Sequence, residues 1–391
     1  MGNTAEYRLR PGFGIYVHWP FCLSKCPYCA FNSYVRCSSS VDQLEFADAL
    51  IAELAYMASR ITSPSEVSSV FIGGGTPSLM SGSIVGRVLH AIARYWHMTD
   101  DIEITIEANP SSVEVSRFRD YRAAGITRIS IGIQSLDELA LKVLGRTHTV
   151  EEAIRGFSIA RSLFERVSLD LIYGRPGQTL NGWQAELRYA LDLEPDHISS
   201  YQLSVEPGTR YAYLCASGKL VMPTDDLELA MFELTRSMLG KRGLLAYEVS
   251  NYARPGYECR HNINYWRCGE YIGVGPGAHG RITYNNRRYA TETEALPEKW
   301  LELVKRHGNG LVVNDILSMK EQAYELVLMG MRLSEGVDLR RYKNLVGRHI
   351  NRAGLALLEE EKLVKVTKNR RVRPTEAGYA VLNFVIDKLL D

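Results

Sequence analysis

Apolar positions in the first half of the chain alternate between short continuous runs and longer stripes of helical spacing. Gly14–Trp19 reads as a buried strand. Val41–Arg60 reads as an amphipathic helix, with Leu44, Ala47, Leu50, Ile51, Leu54, Met57 and Ala58 on one stripe. Further strands are predicted at Val67–Ile72, Ile102–Glu107, Arg128–Gln134, Val167–Tyr173 and His197–Leu203. Helices are predicted between them, at Ser83–Trp96, from Asn109-Pro110 to about Ala124, onward to about Phe164, and at Leu180–Leu193. Strands alternating with helices of this length imply a parallel sheet. Six such units predict an α/β fold, a partial (β/α) barrel whose active site lies at the C-terminal strand ends.

From Met222 the pattern changes. A helix is predicted at Asp225–Arg242, followed by a glycine- and aromatic-rich stretch. From about Leu311 a small tail follows, with helices at Lys320–Met331, Leu339–Leu345 and Ile350–Glu361. Leu363–Val366 and Arg371–Arg373 read as a two-stranded wing, and Thr375 as the cap of a last helix to Leu390. The expected division is therefore 1–220 for the barrel, 221–310 for an extension of it, and 311–391 for a helical and winged tail.

At 391 residues, with 46% hydrophobic residues, the chain can bury a large core. Its net charge of +1 gives no global argument for nucleic acid or an anionic membrane. The basic run Lys365, Lys368, Arg370, Arg371 and Arg373 reads as a solvated hairpin. The start, Met1–Pro11, has no apolar signal-peptide core, and no run of ~18 apolar residues predicts a membrane span. Seven cysteines, three of them clustered, suit a reducing cytoplasm rather than a disulfide framework.

The clustered three are Cys22, Cys26 and Cys29, on a loop just after the first strand. Thiolates suit zinc, Cu(I) and iron–sulfur clusters. A structural zinc wants four closed ligands, and no fourth of matching spacing follows. A [4Fe–4S] cluster on three thiolates fits better, because one iron stays open for a cofactor. Glu107, Gln134 and Asp170 fall at or near the ends of apolar strands, as does Gly73-Gly74-Gly75-Thr76. At one rim, the glycine amides can approach a zwitterionic cofactor closely, and the carboxylates can bind an ammonium or ribose hydroxyls.

Cys-x3-Cys-x2-Cys with an aromatic before the last cysteine resembles the radical S-adenosylmethionine (SAM) superfamily. The resemblance implies a [4Fe–4S] cluster with SAM on its open iron. It assigns SAM contacts to Tyr16, Tyr28, Gly74, Gly75, Thr76, Glu107, Gln134, Arg146 and Asp170. It runs over most of the first ~280 residues.

His261-Asn-x-x-Tyr265-Trp266 follows, then Gly273-Val-Gly-Pro-Gly. Whether helical or extended, His261 and Tyr265 share a face. One axial nitrogen and two stacking faces could serve a planar macrocycle. The motif resembles the heme-associated motif of the HemW heme chaperones, relatives of oxygen-independent coproporphyrinogen III oxidase. That oxidase family carries a further cysteine where Phe31 stands, and a longer arm than the 21 residues before Cys22. The tail resembles the C-terminal domain of the same family. Cys259 and Cys268 bracket the motif at a spacing that matches no metal pattern, and read as free thiols.

The resemblance therefore implies a heme chaperone holding a [4Fe–4S] cluster, SAM and heme. Its partners would be an electron donor and an apo-hemoprotein acceptor, with peripheral contact to membrane hemoproteins. The alternatives are a radical-SAM enzyme acting on porphyrinogen propionates, and a nucleic-acid module using the wing.

Overall fold

The computed structural model describes residues 12–37, 40–61 and 66–390. The polar start 1–11, read above as lacking a signal peptide, lies outside the described residues. Six strands form the centre: β1 (Phe13–Trp19), β2 (Val67–Gly74), β3 (Met98–Ala108), β4 (Arg128–Gln134), β5 (Arg166–Tyr173) and β6 (His197–Gln202). They lie side by side in chain order and all pair in parallel. This is the partial (β/α) barrel that the alternation predicted.

Strand periodicity decides what fills it. One set of side chains, including Ile15, Val70, Ile106, Ile131 and Leu169, is fully buried or nearly so in the main apolar core. The other set faces the inside and is small and polar: Ser69, Thr105, Ser130, Ser168 and Ser199, all buried. The interior is thus a polar compartment rather than an apolar plug.

The helix after the cysteine loop runs Gln43–Arg60, capped by Asp42. Its inward stripe is turned from the expected one. Phe46 and Glu53 are buried, while Leu44 is 57% exposed. The cause is aromatic packing: Phe46 sits 5.2 Å from Trp19, 5.2 Å from Phe21 and 4.9 Å from Trp300 between ring centroids. Removing such a ring costs about 3–5 kcal/mol. The helix expected from Asn109 to Ala124 breaks into Ser112–Val115 and Phe118–Ala124.

The stretch after residue 220 adds strands that local pattern did not reveal. β7 (Leu245–Ala246) and β8 (Asn251–Ala253) extend the sheet beyond β6 in antiparallel fashion. β9 (Glu270–Val274) pairs parallel to β1 on the opposite flank. β10 (His279–Tyr284), β11 (Arg287–Thr293) and β12 (Leu311–Ile316) continue antiparallel from β9, completing twelve strands. The glycine run makes the β9–β10 turn possible. A Cβ on Gly273 would stand 2.1 Å from the His279 carbonyl oxygen, and one on Gly275 2.4 Å from that of His18.

The tail has its own core, with Val327, Leu358, Val372, Val385 and Leu389 at its centre. Helix Met319–Gly330 buries the predicted Ala323, Leu326, Val327 and Gly330. The wing is a hairpin of β14 (Val364–Val366) and β15 (Arg371–Pro374), joined by β13 (Val337–Asp338). Thr375 caps the next helix through the Gly378 N–H. Arg371 departs from the solvated run expected of it. It binds Glu335 at 3.0 Å, and Glu335 also holds Arg267 at 2.8 Å.

Candidate functional site

The cysteine loop leaves the C-terminal end of β1. Phe21–Cys22 pairs in parallel with Tyr34–Val35, which pins both ends of the loop. Within it, the Cys29 N–H donates to the Cys26 carbonyl at 3.1 Å. Lys25 donates to the carbonyls of Phe31 and Ser33, and Asn32 anchors the loop to the carbonyls of Pro276 and Ala295. Each sulfur has a neighbouring donor. The Thr76 hydroxyl donates to Cys22 Sγ at 3.3 Å, and Arg146 Nη1 to Cys26 Sγ at 3.6 Å. Ser33 Oγ lies 3.8 Å from Cys29 Sγ.

This donor set fits thiolates bound to a cationic centre, whose electron density such hydrogen bonds tune. The backbone is shaped to match. A Cβ on Gly75 would stand 2.9 Å from Cys22 Sγ and 2.8 Å from the Phe21 carbonyl oxygen, so only glycine lets the two loops close. A cleft of about 700 Å³ opens beside the loop, with Cys26, Cys29, Lys25, Lys142 and Arg210 on its wall.

At the same rim, Glu107 Oε2 accepts from the Gly74 N–H at 3.2 Å. Asp170 accepts from Ser130 at 2.9 and 3.1 Å and from Ser168 at 3.0 Å. Burial, and then the Asp170 charge, push the Glu107 carboxyl up to about 7. Burial also raises Asp170. Two desolvated carboxylates within mutual electrostatic reach form a ready receptor for a cation. Arg146 donates to the Gly132 carbonyl at 3.0 Å and to Asn109 Oδ1. Tyr16 hydrogen-bonds His18 Nδ1 at 2.9 Å and stacks on Phe71, and Tyr28 lies against Tyr211. The structure therefore brings the predicted Cys22, Cys26, Cys29, Tyr16, Gly74, Gly75, Thr76, Glu107, Gln134, Arg146 and Asp170 to one end of the barrel.

Gln134 is held in an unusual way. Its φ is +69°, left-handed for a residue that is not glycine. The β4–β5 register shifts between Ile131 and Gln134. The next two residues are clamped by a buried pair that sequence reading missed. Glu186 Oε1 accepts from the Ser135 hydroxyl at 2.6 Å and from the Leu136 N–H at 2.7 Å, and Arg175 grips both Ser135 and Glu186. A signal existed: Arg175 follows the fifth strand in Gly-Arg-Pro-Gly, and Glu186 interrupts the inward face of its helix.

The structure places His261, Tyr265 and Trp266 elsewhere. They form the helix Arg260–Trp266, which closes the N-terminal end of the barrel, opposite the cysteine loop. Here the His261 N–H and the Cys259 thiol both donate to Glu103, near the start of the inward stretch of β3. His261 is 1% exposed. Its Nδ1 bonds Ser69 Oγ at 2.9 Å, its ring stacks on Phe71, and Tyr265 meets it edge-on at 4.5 Å. Among the described residues its Nε2 has no partner. Burial, then the Arg128 charge, lower its pKa to about 3. Phe71 touches both Tyr16 and His261, so one aromatic column runs between the two ends. Trp266 lies under Arg332 of the tail at 4.4 Å.

The Radical SAM superfamily matches residues 16–190, and the HemN C-terminal domain matches 317–381. Heme chaperone HemW of Escherichia coli strain K12 is 44% identical over 73% of this chain and 74% of its own length. Radical S-adenosyl methionine domain-containing protein 1, mitochondrial, of Bos taurus is 38% identical over 96% of this chain and 87% of its own. The chain belongs to the HemW family of radical-SAM proteins.

For a HemW-family chain, radical-SAM membership implies a [4Fe–4S] cluster and SAM. The whole fold is shared with the solved structure of coproporphyrinogen III oxidase (HemN) from Escherichia coli. That match has a TM-score of 0.81 at 21% identity and covers 100% of this chain and 93% of the other. No helix among the described residues is long and apolar enough to cross a membrane. Phe31, two residues after Cys29, is 70% exposed.

Proposed function

We propose that this HemW-family chain is a heme chaperone, holding heme and passing it to apo-hemoproteins. Cys22, Cys26 and Cys29 hold the cluster, with Thr76 and Arg146 donating to the sulfurs of Cys22 and Cys26 and the Ser33 hydroxyl beside that of Cys29. Gly74, Gly75, Thr76, Tyr16, Tyr28, Glu107, Gln134, Arg146 and Asp170 hold SAM. There the two carboxylates take its ammonium and ribose hydroxyls. When bound, the cluster supplies the electron that can cleave SAM. A partner redox protein delivers that electron at the cleft beside Cys26 and Cys29. We assign the chain to the cytoplasm, where cysteines outside any disulfide, as all seven are here, stay reduced.

One observation supports the heme reading most: the state of His261. Its Nδ1 is tied to Ser69, its Nε2 is unpartnered among the described residues, and burial keeps the ring neutral. A neutral imidazole tethered through one nitrogen is the usual form of a metal-ligating histidine. Tyr265 and Trp266 provide flanking aromatic surface.

The test is a heme titration of the cluster-reconstituted protein with and without SAM, beside an anaerobic coproporphyrinogen III assay. We expect heme binding in both conditions, a changed absorption spectrum in His261→Ala, and no protoporphyrinogen IX. Steady decarboxylation of coproporphyrinogen III without heme binding would replace this reading with an oxidase.

A further inference from the structure

We propose that Arg128 anchors a carboxylate-binding subsite on the floor of the barrel interior, and that the carboxylate it takes is a propionate of the tetrapyrrole cargo. The inference rests on the heme-chaperone reading.

Arg128 opens β4 and shares the inward face with Ser130, two residues on. It is 2% exposed. Among the described residues its guanidinium makes no hydrogen bond and no ion pair, although Glu103, Asp170, Cys259 and Tyr247 lie within electrostatic reach. A buried charge without hydrogen bonds is costly, and buried polar groups are almost always partnered. Its surroundings repeat the anomaly. Thr105, the register partner of Arg128 on β3, and His261, within its electrostatic reach, each bury a polar atom, Oγ1 and Nε2, that has no partner among the described residues.

Charge selects the ligand. Arg128 and Arg166 are the cations facing this floor, and Glu103 is paired to Arg166 at 3.7 Å. Glu107 and Asp170 sit toward the other end, where SAM's cationic groups engage them. His197 and His261 are neutral through burial. With SAM on Glu107 and Asp170, and Arg166 on Glu103, one positive charge, that of Arg128, is left over. A carboxylate balances it, whereas a phosphate dianion would overfill a floor that already holds Glu103. The planar guanidinium fork also matches a carboxylate in two hydrogen bonds. His261 and Arg128 face one compartment, so an iron at His261 Nε2 and an acid group at Arg128 can belong to the same molecule.

The experiment titrates ferric protoporphyrin IX and its dimethyl ester into the protein loaded with cluster and SAM, and into Arg128→Gln loaded in the same way. Expected is a loss of about ten- to a hundredfold on esterification in the wild type. Arg128→Gln should lose the same factor for the diacid and none for the diester. If Arg128→Gln does not fold, Arg128→Met, which likewise leaves Arg166 and Glu103 paired, carries the same comparison. An n-butyrate-induced thermal shift that Arg128→Gln abolishes, without any ester penalty, would retain the carboxylate site and assign it to a free acid. An equal ester penalty in both proteins, or no ester penalty and no butyrate shift, would overturn the subsite. Failure of both porphyrins to bind would remove the heme reading, and the butyrate arm would then decide Arg128 alone.

Discussion

The hydroxyl of Thr76 donates a hydrogen bond to the sulfur of Cys22 at 3.3 Å, linking the glycine loop after β2 to the cysteine loop after β1. Burial raises the Cys22 thiol, and this hydrogen bond opposes it. The loop is thus arranged to hold thiolate once a cationic centre binds. Replacing Cys22, Cys26 or Cys29 by Ala should each abolish the reconstituted [4Fe–4S] absorption band. Cys37, Cys215, Cys259 and Cys268 should be dispensable for it. Four irons per chain in Cys29→Ala would contradict the ligand set.

Glu107 and Asp170 should carry much of the SAM affinity. Losing one charge-assisted contact costs roughly 1.5–3 kcal/mol, about ten- to a hundredfold. The acid dependence has a sign. The Glu107 carboxyl stands near 7 in the free protein, so it is protonated below that and cannot hold a cation. SAM affinity measured by calorimetry should therefore fall as pH drops through about 7, and Glu107→Gln should flatten that dependence.

Much of this was legible in the sequence. Strand periodicity marked all six parallel strands, and the rim rule of the barrel placed Glu107, Gln134 and Asp170 at their ends. What stayed hidden was non-local. β9 is five residues long and finds its parallel partner β1 at the other end of the chain. The position of His261 at the far mouth depends on Glu103, Ser69 and Gly14, which no spacing connects to it. Glu53 was visible only as a charge within an apolar stripe, between Leu50, Leu54 and Met57.

That Glu53 makes a pH-dependent clasp. It is fully buried and accepts from the Gly275 N–H at 2.8 Å, the Gly310 N–H at 2.7 Å and Trp300 Nε1 at 3.1 Å. Burial raises its carboxyl from 4.5 to about 7 despite these donors. A raised carboxyl favours the folded state below 4.5, and that contribution is lost as pH rises through about 7. Relative to Glu53→Gln, the wild-type denaturation midpoint should therefore decline between pH 5 and 8. A constant difference would place the ionisation elsewhere.

The Arg175–Glu186 pair should act on Gln134 from behind. Breaking a buried pair by removing one partner costs about 3–5 kcal/mol. Glu186→Ala should lower the unfolding free energy by that order. It should also weaken SAM binding, because Ser135 and Leu136 no longer hold Gln134 left-handed. SAM affinity unchanged in a folded Glu186→Ala protein would detach the clamp from the cofactor site.

The central claim is that heme is cargo, and transfer tests it most directly. Heme-loaded protein, with its cluster reconstituted and SAM present, is mixed with an apo-hemoprotein, and the acceptor's absorption band is followed in time. The account predicts that the acceptor gains heme while this chain loses it, and that His261→Ala delivers less. Heme that stays on the chain, with an acceptor that remains empty, would contradict it.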